Sequence, residues 1–202
     1  MSLTDRKERE KQLRIEAILA AAKELYSRKG YQETTMADIA EASELGKATI
    51  YYYFPNKEAI YRELFLTCVR AQFRRLEENI VAVSGLEQLL QRMLNAYVDW
   101  AYEDPAFFGL HYPMGKNAPV QVIHEPEVIA EIRRLHEPVQ HRMNEIFSAT
   151  GSGYDSRVIA GMVWTYMSGL AGKIHQGVVK AALEEELNLF VRSLTNLLNK
   201  DN

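Results

Sequence analysis

Apolar residues recur at helical spacing along nearly the whole chain. Ile15, Ile18, Leu19, Ala22, Leu25 and Tyr26 lie three or four positions apart and form one stripe. Lys29 and Gly30 close that helix with a cation in its last turn and a glycine near its C-cap. Thr34 and Thr35 offer an N-cap for a short helix from Met36 to Ala42, and Asp38 stands where a capping-box partner is needed. After a break at residues 43–46, Lys47 to Tyr53 fits a second short helix. Pro55 pushes Phe54 out of helical geometry, and Asn56 is a good N-cap for a long helix from Lys57 to about Ile80. Leu86 to Glu103 is amphipathic, with Leu89, Leu90, Met93, Leu94, Tyr97 and Trp100 among its apolar positions. Prolines 105, 113, 119 and 126 divide the next stretch into short turns and loops. Helix resumes over residues 127–150, with a kink expected at Pro138, and again over 154–178 and 182–199.

Strand alternation is absent beyond a few residues, and no repeat of fixed period occurs. The expected fold is all-α, with about nine helices. Residues 1–56 form an N-terminal arm and a three-helix helix-turn-helix head, and residues 57–202 form a larger bundle in which 57–80 is the connecting helix. Composition adds little to this but excludes several classes. With 47% hydrophobic residues and a net charge of −3, the 202-residue chain has the material for a core and is not disordered. Cys68 is the sole cysteine, so no intramolecular disulfide forms, and a reducing, cytoplasmic setting is expected. Residues 1–14 are a mixed-charge segment without the apolar core of a secretory signal. The longest uncharged stretch, residues 158–172, falls short of the roughly 20 apolar residues that span a bilayer, so no membrane partner is expected.

A pI near 6.0 provides no global basic field, so contact with nucleic acid must rest on local groups. The second short helix supplies them. With Ile50 and Phe54 turned inward, Ala48, Thr49, Tyr51 and Tyr52 point outward. Tyrosine hydroxyls suit phosphates and sugars, Thr49 suits a phosphate or a base edge, and Ala48 leaves room for close approach. Lys47 and Lys57 flank the segment, and no carboxylate lies between Leu45 and Lys57. On spacing alone, the same residues also fit a solvated helix end whose aromatics pack into the core. Tyr53 fits either core or rim.

Three runs of residues in register carry a resemblance: Thr34-Thr35-Met36-Ala37-Asp38-Ile39-Ala40, then Leu45 through Phe54, then Asn56-Lys57-Glu58. With them, residues from about 14 to 65 resemble the DNA-binding head of the TetR family of bacterial transcriptional regulators. The resemblance implies that Thr35 contacts phosphate from an N-cap, and that Lys47, Ala48, Thr49 and Tyr52 approach bases or nearby phosphates. It implies that Tyr51, Tyr53 and Lys57 clamp the DNA backbone, and that Ala40, Leu45, Ile50 and Phe54 form a small core. The turn departs from the family pattern: Glu44 stands where glycine is frequent, and Gly46 where serine or another N-cap is frequent.

The resemblance further implies a homodimer formed by the last two long helices, a pseudo-palindromic operator, and a small-molecule pocket in the body. Gly161, Thr165, Gly169 and Gly172 recur about every fourth position, which permits close helix approach, and Leu187, Phe190, Leu194 and Leu197 lie on the apolar face of the next helix. These are the candidate dimer residues; packing within one chain is the alternative. Candidate pocket residues are Phe65, Cys68, Met93, Tyr97, Trp100, Phe107, Phe108, His111, Tyr112, His136, Met143, Trp164 and Met167, with His111 and His136 as polar selectors. The expected effector is hydrophobic or aromatic, and the expected sign of regulation is repression. A body that docks a protein partner instead of a ligand is the alternative. The five histidines show no metal-ligand spacing, and no GxSxG, P-loop or GxGxxG occurs, so no metal, cofactor or enzyme activity is expected.

Overall fold

The computed structural model describes residues 3–111, 119–151 and 153–199, with the side chains of Leu3, Phe107, His111 and Val120 excepted. Among the described residues are ten helices and no strand. The first four are α1 (Leu3–Glu33), α2 (Met36–Ala42), α3 (Lys47–Tyr53) and α4 (Lys57–Ile80). The body holds α5 (Leu86–Glu103), α6 (Pro105–His111), α7 (Val120–Ile123), α8 (Pro126–Ala149), α9 (Ser156–His175) and α10 (Lys180–Asn199). The proline-rich stretch accounts for the count above nine, because it contributes α6 and α7. Helix α8 runs through Pro138 without an internal break.

Packing divides the chain into two compact units. Unit 1 comprises Met1–Cys68 and Gly109–Ala130; unit 2 comprises Val69–Phe108 and Glu131–Asn202. The line falls within α4.

In unit 1, α1 packs on α2 and α2 on α3. Ile18, Ala22, Ile39, Ile50 and Ile60 are fully buried, so the stripe expected on α1 is the stripe that packs. Tyr26, Tyr31 and Tyr61 form a ring cluster with centroids 5.3–6.0 Å apart. The Tyr31 hydroxyl donates to Glu58 at 3.0 Å, and the Tyr61 hydroxyl donates to the Leu110 carbonyl at 3.2 Å. Burial raises the pKa of all three phenols, so they stay neutral donors. Arg62 clasps Glu125 with two hydrogen bonds, tying α4 to the segment after α7.

Helix α1 holds two surprises. It starts at Leu3, so the mixed-charge arm is helical although residues 4–14 are exposed and none belongs to the core. Glu8–Lys11, Glu10–Arg14 and Gln12–Glu16 pairs support it along the helix surface. Near its other end Gly30 is non-helical (φ 84°, ψ 163°), a conformation essentially restricted to glycine. The last turn is therefore offset from the main run, and Thr34 donates back to the Gly30 carbonyl at 2.8 Å.

In unit 2, α5 is the central helix and packs against α10 and α9. Leu89, Leu90, Met93 and Leu94 of α5 are fully buried, as are Leu183 and Leu187 of α10. Arg75 clasps Glu103, and Glu131 receives both Arg70 and Arg134, which holds its pKa down at about 2. Asp155 caps α9 by accepting from the Arg157 amide.

Candidate nucleic-acid interface

The interface is assembled on α2, the turn after it, and α3. Thr35 and Asp38 form a full capping box: the Thr35 hydroxyl accepts from the Asp38 amide at 3.2 Å, and Asp38 accepts from the Thr35 amide at 2.7 Å. Lys29 adds an ion pair to the same carboxylate at 2.7 Å. The Lys29 hydrogen bond, then those from Thr35, bring the Asp38 pKa down to about 2. Thr35 is exposed at the start of α2.

The turn ends α2 at Ser43, whose hydroxyl donates to the Ile39 carbonyl. Glu44 then takes φ 57°, the left-handed region that favours glycine. The frequent glycine of the family pattern thus has a backbone cause, and this chain holds a carboxylate in the strained position. Gly46 caps α3 through its carbonyl alone, accepting from the Thr49 amide at 2.9 Å. Phe54 ends α3 in an extended conformation before Pro55.

Helix α3 has two distinct faces. Ile50 is fully buried and Phe54 nearly so, with Ala40 beside them in the core and Leu45 half-buried. Opposite, Lys47 and Ala48 are exposed, Tyr51 is 54% exposed and Tyr52 81% exposed, while Thr49 and Tyr53 are half-buried at the rim. Tyr53 meets Tyr52 edge to face, with centroids 5.0 Å apart. Large aromatic side chains held this far into solvent forgo apolar burial.

Lys57 has a different occupation from the backbone clamp expected of it. Its ammonium donates to the carbonyls of Tyr31 (2.7 Å), Thr34 (2.8 Å) and Gln32 (3.2 Å), and sits 4.2 Å over the Tyr31 ring. It caps the C-terminal end of α1 by donating to carbonyls there, that of Tyr31 accepting also from the Thr34 amide. Burial draws its pKa below the ordinary lysine value, against the pull of Glu58, Glu33 and Asp38. A feature the sequence reading missed lies on the other side of α3. Lys7, Lys11 and Arg14 share one face of the exposed part of α1 and line a groove of about 350 Å³ with Tyr52 and Tyr53. Their spacing of four and three residues was the available signal.

The expected pocket residues fall in separate units. Phe65 and Cys68 are buried in unit 1. In unit 2, Met93, Met143 and Met167 are fully buried, Tyr97 and Trp100 contact Phe108 edge to face, and His136 and Trp164 meet at 5.0 Å with Phe73 beside both. His136 Nε2 and Trp164 Nε1 are buried without a hydrogen-bond partner, and burial lowers the His136 pKa, keeping it neutral. Tyr112 and the side chains of Phe107 and His111 lie outside the described residues. An open cleft of about 670 Å³ at Ser84–Gln88, Ile146 and Thr195 includes none of the candidates.

The candidate dimer residues divide by exposure. Gly161, Thr165 and Gly169 of α9 and Leu197 of α10 are exposed. Leu187, Leu194 and Gly172 are instead buried within the chain, because α10 and α9 turn those sides toward the unit 2 core, so they leave the set. Phe190 is half-buried and stacks on Tyr166 at 3.8 Å. Val158, Met162 and Leu189 are also exposed on these two helices.

Among the described residues no cluster of three or more metal-ligating side chains occurs, and no helix is long and apolar enough to cross a membrane. Residues 18–64 match the family described as bacterial regulatory proteins, tetR family. The chain is 31% identical to the HTH-type transcriptional regulator YhgD of Bacillus subtilis, over 43% of this chain and 46% of that protein. It is 35% identical to IcaR of Staphylococcus epidermidis, a negative transcriptional regulator of a biofilm operon, over 35% of this chain and 40% of that protein. These matches span less than half the length of either relative. Among solved structures, a TetR family regulator from Marinobacter aquaeolei shares the fold with a TM-score of 0.67, at 19% identity over 92% of this chain and 95% of that one. FadR of Bacillus subtilis, solved with stearoyl-CoA, has a TM-score of 0.65 at 20% identity over 91% and 97% of the two chains. The head motif and the helical architecture converge: residues 18–64 carry the DNA-binding head of the tetR family of bacterial regulatory proteins, and the chain shares the fold of TetR family regulators.

Proposed function

We propose that the chain acts as a homodimeric repressor that reads a pseudo-palindromic operator and releases it on binding a hydrophobic or aromatic small molecule. The outer face of α3 carries this reading: Lys47, Ala48, Thr49, Tyr51 and Tyr52 stand outward from a helix anchored by Ile50. Thr49 and Tyr52 read the major groove; Thr35, Tyr51 and Tyr53 hold phosphates. Exposed Gly161, Thr165 and Gly169 on α9, with Val158, Met162, Leu189 and Leu197 around them, supply a self-complementary patch for a two-fold axis. The Met-rich and aromatic interior of unit 2, with neutral His136 and the Trp164 N–H unpartnered, suits a mainly apolar effector with a polar group. Stearoyl-CoA in FadR supports a hydrophobic effector, and the negative regulation by IcaR supports repression. Helix α4 belongs to both units, so an effector that favours one position of α4 shifts the head spacing.

The test is selection of bound duplexes from a random-sequence pool, followed by titration of the recovered site. Thr49→Ala with Tyr52→Ala should cost about 1–3 kcal/mol of sequence discrimination. Equal affinity of variant and parent for that site refutes the reading. Met162→Lys with Leu189→Lys should turn a sedimenting dimer into a monomer; an unchanged dimer places the interface elsewhere.

A further inference from the structure

Residues 4–14 of α1 pose a physical problem. All are exposed, so three turns of helix stand largely in solution, with none of their residues in the core. Isolated helices of this length are marginal in water. Their surface pairs, Glu8–Lys11 at 3.3 Å and Glu10–Arg14 at 2.5 Å, are solvent-exposed on both sides and add little to its stability. The segment nonetheless has an ordered arrangement of charge. It carries five basic residues against three acidic ones in a chain whose net charge is −3. Lys7, Lys11 and Arg14 fall on one face and border, with the rings of Tyr52 and Tyr53, the groove of about 350 Å³. One wall of that groove is therefore the end of the helix proposed to read bases.

We infer that this groove seats a sugar-phosphate strand of the operator flanking the site read by α3, with Lys7, Lys11 and Arg14 as its cationic wall and the Tyr52 and Tyr53 rings opposite. The inference rests on the DNA-binding reading and extends it to a second contact surface on the same head. A duplex backbone is the occupant because it must pass beside α3 whenever Tyr52 faces DNA, and the groove opens at that tyrosine. Glu8 and Glu10 also line the groove, where they occupy Lys11 and Arg14 in the free protein. Binding exchanges these weak surface pairs for phosphate contacts and releases counterions.

The test compares the parent with Lys7→Ala/Lys11→Ala/Arg14→Ala on the duplex recovered by selection. Alanine is the best helix former, so the arm keeps its helix, and circular dichroism checks this. Three lost phosphate contacts reduce the slope of log affinity against log salt by about 2.7, so the loss of affinity between 50 and 200 mM salt is about 40-fold smaller in the variant. Hydroxyl-radical protection at the flanking sugars disappears, while guanine N7 protection in the major groove remains. Glu8→Gln/Glu10→Gln binds more tightly than the parent, whereas a role confined to helix support predicts no gain. Unchanged slope and unchanged flanking protection, with the parent bound to its duplex, overturn this inference and leave the α3 reading intact. If the parent selects no duplex, both fall together.

Discussion

Replacing Lys57 by methionine separates two roles that one lysine cannot fill together. The ammonium accounts for three carbonyls at the end of α1 and covers the Tyr31 ring. Hydrogen bonds from a charged donor contribute about 1.5–3 kcal/mol each when buried. The Tyr31 and Thr34 contacts are part-buried and short; the Gln32 contact is exposed and long, and water replaces it. Methionine keeps the aliphatic stem against Tyr31, so packing is largely retained. The expected net loss is about 2–4 kcal/mol, or roughly 5–15 °C in Tm for a chain of this size. Lys57→Arg should not rescue it, because a planar fork cannot converge on three carbonyls. Thermal melts by circular dichroism give the stability, and DNA titration across salt gives the phosphate count. An unchanged Tm with a salt slope shallower by about one unit would refute the capping role and restore Lys57 as a backbone clamp.

Three further outcomes follow from the same coordinates. Glu44→Gly relieves a left-handed backbone costing about 1–2 kcal/mol, part of it offset by a more flexible unfolded chain, so urea melts should show a net gain of up to about 1 kcal/mol; it also removes a carboxylate from the turn and should tighten DNA binding at low salt. Gly30→Ala should destabilise by about 1–3 kcal/mol in the same assay, since φ 84° with ψ 163° is a glycine conformation; an unaltered melt contradicts the break in α1. Carboxylates Asp38, Glu131 and Asp155 have folded pKa values of about 2, below their unfolded values near 4. Their stabilisation is present above pH 4 and is lost as pH falls through 2, so Tm should drop across that window, and Asp38→Asn should flatten part of the drop. A Tm that stays level from pH 4 to pH 2 excludes it.

What could be read along the chain was whatever depends on neighbours in sequence. The capping box at Thr35 and Asp38, the N-cap at Asn56 and the inward turn of Ile50 each need only a spacing of three or four residues, and all three occur. The left-handed turn was half-visible: the position was identified as unusual, but its backbone cause at Glu44 required dihedrals. The arm was opaque for a physical reason. Helix there is propagated from a packed segment and supported by charge pairs, so no apolar stripe advertises it. Its basic face gains meaning only when Tyr52 is placed across the groove.

Lys57 and the two last helices pose the opposite problem, since their sequence signals are strong but ambiguous in destination. A lysine at the first position of α4 is equally placed for a phosphate outside or for carbonyls 23–26 residues earlier; only the fold brings the end of α1 within 2.8 Å. Likewise α10 presents apolar residues around more of its circumference than one interface needs. Leu187 and Leu194 belong to the side that packs within unit 2, where α5 meets α10, while Leu189 and Leu197 remain outside. A helix that serves one core and one partner must be apolar on two sides, and periodicity reports their sum. Exposure in the folded chain separates them, and it moves the proposed dimer contact from the buried leucines to the outer pair and the small residues of α9.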